Sequence, residues 1–75
     1  MNEEEIVEIL KRENEEFRRL AEEHRSLDNM LSEMDRKPYL TPDEEIERKR
    51  IQKLKLNKKD RMAELIREYK RRHSN

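Results

Sequence analysis

Along the first half of the chain one set of positions recurs in alternating steps of four and three: Ile6, Leu10, Glu13, Phe17, Leu20, His24, Leu27, Leu31 and Met34. Only Glu13 and His24 among them are polar. A heptad kept without a slip over this span is the seam of a helix that packs along another helix, and a disordered segment would not keep it. The pattern predicts one helix over about 3–36. In the second half, Ile51, Leu54, Met62, Leu65, Ile66 and Tyr69 fall within a stripe about 120° wide when turned at about 100° per residue. Lys55 and Lys58 interrupt that stripe, with stems placed to pack and ammonium groups placed to reach water or acids. Ile46 and Leu56 point elsewhere.

The two patterns meet at "DRKPYLTPDEE", which holds both prolines. Pro38 disfavours helix at Lys37 and removes a backbone donor, so the first helix should stop near Arg36. The second helix opens with strong signals. Thr41 is a good N-cap, Pro42 suits the first helical position, and Thr41-x-x-Glu44 has the form of a capping box. Asp43, Glu44 and Glu45 stand at the positive end of the helix dipole. The expected fold is therefore all-α: an antiparallel, coiled-coil-like hairpin, with helices over about 3–36 and 42–71, a loop over 37–41 and a frayed tail over 72–75. Such a hairpin pairs positions whose numbers add to about 78, setting Phe17 near Met62, Leu27 near Ile51 and Leu10 near Tyr69. Leu10, Phe17, Leu20, Leu27, Leu31, Ile51, Leu54, Met62, Leu65 and Tyr69 form the expected core seam.

Charge sharpens this picture. Lys plus Arg and Asp plus Glu are 19 each, so the net charge is zero. Residues 1–40 nevertheless hold 12 acids and 7 bases (7 − 12 = −5), and residues 41–75 hold the reverse (12 − 7 = +5). An acidic helix thus lies along a basic one, and mismatched registers are penalised. The composition is 51% charged and 31% hydrophobic, with no glycine and no cysteine. Phosphate-cradling glycine loops, disulfides and thiolate metal sites are excluded. No apolar run approaches the roughly 20 residues that span a membrane, and the acidic start is unlike a signal peptide. A cytoplasmic protein is expected. Chains of this length bury only about 60% of their unfolded surface, and Ile9, Met30, Ile46 and Leu56 lie off the seam. Self-association into a four-helix bundle follows as an expectation, with a dimer as the favoured assembly.

The segments "ENEEF" and "EEHRSLD", followed by a proline-containing loop and "KLKLNKKDRM", together resemble the YdcH-like family of small bacterial proteins. The matching positions are Glu13, Asn14, Phe17, His24, Leu27, Asp28, Lys55, Leu56, Lys59 and Asp60. Glu15 stands where that family usually has proline, and Lys58 where leucine is common. The resemblance implies a helical hairpin of uncharacterised function and supplies no catalytic residue, cofactor or metal.

Chemistry has few footholds. His24 has Ala21 three residues before it, not a glutamate as a di-iron helix motif requires, and the other histidine is His73 near the chain end. It reads as a polar seam residue that fixes register, bonded to a carboxylate such as Asp28. Glu13, in reach of Arg61, reads as half of a cross-helix ion pair. Two rods enclose no ligand-sized cavity, so the chain is expected to be no enzyme and to hold no cofactor or metal. The run Arg48–Arg61 holds eight Lys/Arg and one acid among fourteen residues. Phosphate binding by this face, making a nucleic-acid-associated protein, is the alternative reading; the acidic neighbour and the lack of an aromatic in the run oppose it. Membrane binding has no Trp or Phe anchor there. The preferred reading is an interaction or adaptor module with an unidentified protein partner. Its contact residues are Arg48, Lys55, Leu56 and Lys59, because Leu56 falls about 140° from the stripe and is ringed by cations.

Overall fold

The computed structural model describes residues 1–74, and all of their regular structure is helical, with no strand among them. Three helices follow one another: α1 (Glu3–Glu13), α2 (Glu15–Asp35) and α3 (Pro42–His73). The expected two-helix count is therefore corrected. The first helix is broken at Asn14, whose φ of −121° and ψ of 110° are extended. Asn14 ends α1 and begins α2 at once. Its own amide still donates to the Leu10 carbonyl (2.9 Å), while its side-chain carbonyl accepts from the Phe17 amide (2.9 Å). That second bond satisfies a donor that the first turn of any helix leaves without an intrahelical partner. Glu15 and Glu16 then add negative charge at the positive end of α2.

The other helix starts follow the same logic. Asn2 and Glu5 form a reciprocal capping box, the Glu5 amide donating to Asn2 Oδ1 (2.9 Å) and the Asn2 amide donating to Glu5 Oε1 (3.3 Å). Thr41 and Glu44 do so at α3, with Pro42 beginning the helix: the Glu44 amide donates to Thr41 Oγ1 (3.1 Å), and the Thr41 amide donates to Glu44 Oε1 (3.0 Å). Ahead of the prolines α2 ends at Asp35 with Arg36 as its C-cap. At the far end α3 runs to His73, two residues past the expected stop, and Asn75 lies outside the described residues.

α2 and α3 run antiparallel, and α1 packs against both. Phe17, fully buried, sits among Ile6, Leu10, Leu20 and Leu65, with Val7, Met62, Ile66 and Tyr69 around them. Leu31 and Ile51 are buried outside that cluster, nearer the loop, while Leu27 and Leu54 are half-buried. The molecule measures 52 × 20 × 15 Å, close to the roughly 48 Å that a 32-residue helix spans. Length is thus set by α3, and the core is thickest where α1 joins the pair. Fully burying a side chain such as Phe17 contributes about 1.5–3 kcal/mol, so seven buried apolar residues make a thin core.

A cation-rimmed groove on the flank of α3

The expected acidic-on-basic pairing is carried by specific bonds along the two edges of the α2–α3 seam. On one edge Arg61 Nε donates to Glu16 Oε2 (2.8 Å) and its second amino nitrogen donates to Glu16 Oε1 (3.1 Å), a two-point grip. One helical turn before Arg61, Lys58 Nζ approaches Glu23 at 3.5 Å. On the other edge Lys55 Nζ donates to Asp28 Oδ1 (2.6 Å), and Arg48 Nε donates to Asp35 Oδ1 (3.0 Å). The two acids and the two bases of this edge are each seven residues apart, two helical turns, so a straight antiparallel pair brings them together. Beside the loop, Lys37 grips Glu44.

These contacts move the carboxylates' proton affinities. The Arg61 hydrogen bond holds Glu16 below the usual glutamate value, and the Lys55 hydrogen bond, aided by its charge, does the same for Asp28. Glu44 is lowered furthest, from 4.5 to about 2, first by Lys37 and then by the Thr41 amide of the capping box. Arg61 is raised by its bond to Glu16.

The candidate residues are thereby sorted. Glu13 is exposed and leaves the seam at the Asn14 break, and Glu16 rather than Glu13 takes Arg61. Asp28 bonds Lys55 and not His24. His24 lies half-buried on the seam with a buried Nε2 that finds no hydrogen-bond partner. Within the run Arg48–Arg61, five of the eight cations meet carboxylates: Arg48, Lys55, Lys58 and Arg61 on α2, and Arg50 on Glu47 of its own helix. Lys49, Lys53 and Lys59 meet none within 4.0 Å among the described residues. Phosphate binding by the whole run would therefore compete with the bonds that join α2 to α3.

Of the four proposed contact residues, Arg48 and Lys55 are engaged within the fold, whereas Leu56 and Lys59 face outward. Leu56 is 55% exposed. It rims a groove whose other lining residues are Leu31, Gln52, Lys55 and Lys59, with the buried Leu31 at its floor. Two signals for the missed features lay in plain view: Asn is a favoured N-cap, and Glu16 and Glu23 are spaced by two turns on one edge. No group of three or more His, Cys, Asp or Glu able to hold a metal ion occurs among the described residues. No helix there is long and apolar enough to cross a membrane.

No curated protein matches the chain, and no solved structure does. A family model does, over residues 17–66, more than half of the length and covering nearly all of α2, the loop and most of α3. The chain belongs to the family described as "Protein of unknown function (DUF465)".

Proposed function

We propose that this protein is a non-enzymatic helical interaction module, working through the exposed flank of α3 with Leu56 and Lys59 at the centre of the contact. One observation carries the reading. Leu56 stands 55% exposed over a groove floored by Leu31, beside a lysine that meets no carboxylate within 4.0 Å. An apolar side chain rimmed by charge is the usual anatomy of a contact patch: a small hydrophobic centre within a polar border. The grooves along the helices are open and shallow, which suits a partner's helix laid along them better than a small substrate held in a cavity.

We also infer a closer likeness to YdcH-like proteins, on the residues from Glu13 to Asp60 that resemble theirs. Those proteins usually carry proline where Glu15 stands, and Glu15 is here the first residue of α2, the helical position that proline suits.

Affinity capture with tagged protein tests the reading. Wild type should retain proteins that the Leu56→Glu variant loses, with helical circular dichroism unchanged. The same proteins retained equally by both would remove Leu56 from any contact and end the proposal.

A further inference from the structure

Three grooves on one side of the molecule share their lining residues and so form one track. Glu4, Val7 and Glu8 of α1 line the first with Glu3. Glu3 lines the second as well, with His24, Met62, Ala63 and Ile66, and this groove reaches Lys55 and Lys59. Those two lysines continue into the third, with Leu31 and Leu56. The track therefore begins acidic on α1, carries Met62, Ala63 and Ile66 beside His24 in its middle, and ends basic on α3, where Lys55 is bonded to Asp28 and Lys59, among the described residues, is the unpaired cation. Glu4 and Glu8 meet no cation within 4.0 Å among the described residues, and Lys59 meets no carboxylate. Lys11, Arg18 and Arg25 line none of these grooves, whereas Arg12 lines a neighbouring groove on α1 that also holds Glu4, Glu5 and Glu8 and keeps a net acidic lining.

A surface with acid at one end and base at the other is self-complementary under a two-fold axis. When two copies are laid flank to flank and antiparallel, the acidic end of each meets the basic end of the other, and the middles coincide. Isologous contacts of this kind close after two subunits. We infer that a second copy of this chain occupies the track, with Glu4 and Glu8 of each protomer set against Lys59 of its partner and Leu56 covered at the rim. The inference rests on the interaction-module reading and names its partner. Charge complementarity argues for this occupant because both halves of the match are present, unused, on one chain. The middle of the track adds a physical reason for closure: Ala63 is small enough to let a second helix approach, and Met62 and Ile66 are only half-buried.

Charge exchange tests the arrangement by sedimentation of the full chain. Wild type should sediment as a dimer. Lys59→Glu alone sets acid against acid at both ends of the pair, and Glu4→Lys/Glu8→Lys alone sets base against base, so each should lose the dimer. An equal mixture of the two variants restores both matches and should recover a mixed dimer, with helical content unchanged throughout. Monomeric wild type at every concentration overturns the inference, as does a dimer that survives either reversal, or a mixture that stays monomeric. Monomeric wild type whose capture of another protein still depends on Leu56 overturns the pairing and leaves the interaction-module reading intact. Loss of that dependence as well overturns both.

Discussion

The Phe17 amide donates to the Asn14 side chain across 2.9 Å, so the residue that breaks the first helical half also anchors the most buried side chain of the protein. Substituting a capping Asn by Ala typically costs about 1 kcal/mol. Asn14→Ala should lower the urea midpoint accordingly, whereas Asn14→Asp or Asn14→Ser, which keep an acceptor, should stay close to wild type. Equal loss in all three variants would show that the backbone turn, and not the cap, matters at this position.

Among the described residues Phe17 is the one fully buried large side chain, at the meeting point of all three helices. Truncation of a buried Phe to Ala costs about 3–5 kcal/mol, against a total stability of about 5–15 kcal/mol for whole domains. Phe17→Ala should lower the urea midpoint by the largest step of any single truncation, while Leu27→Ala, at a half-buried site, should lower it much less; equal shifts would remove Phe17 from the centre of the core.

Glu44, Glu16 and Asp28 all have lowered proton affinities in the fold, each first through its hydrogen bond to Lys37, Arg61 or Lys55. A carboxylate lowered in the folded state stabilises it fully above the unfolded value, and that contribution fades as pH falls through the folded value. For Glu44 the window runs from 4.5 down to about 2. Chemical denaturation should therefore show stability level near neutrality and declining across this window. Glu44→Gln should lie below wild type at neutral pH and converge with it at the acid end; a constant gap would mean that the charge contributes nothing.

His24 places an imidazole nitrogen, Nε2, out of water and without a partner. A buried polar atom left unpaired costs about 1–3 kcal/mol, and an apolar residue of similar size removes that cost. His24→Leu should raise the thermal midpoint. A fall would show that the ring is hydrogen-bonded in solution.

Much of this architecture was legible from side-chain spacing. The heptad located Leu10, Phe17, Leu20 and Leu31 in the core, and Thr41 with Glu44 marked the start of α3, because burial and capping depend on local periodicity. The Asn14 break escaped that reading for a physical reason. Its amide keeps the helical bond to Leu10, so Phe17 still follows Leu10 at heptad spacing and the apolar phase runs on unbroken. Ion-pair partners were harder. Spacing alone put Glu13 and Glu16 about equally near Arg61, and the structure gives the bond to Glu16, with Glu13 on the other side of the Asn14 break. Asp28 likewise lay near both His24 and Lys55, and the direction of one lysine stem settled its bond.

Asn14 should also divide the molecule kinetically. Since α2 carries its own cap there and α1 carries one at Asn2, each helix begins independently, and the last bonds of α1 can open without unravelling the first turn of α2. Local opening of this kind governs amide exchange. The amides of α1, held by Ile6 and Leu10 on a small contact, should exchange as one early group, ahead of the long α2–α3 pair. Early exchange of α1 would expose Phe17, because Ile6 and Leu10 of this eleven-residue helix supply two of the five buried residues packed in its cluster.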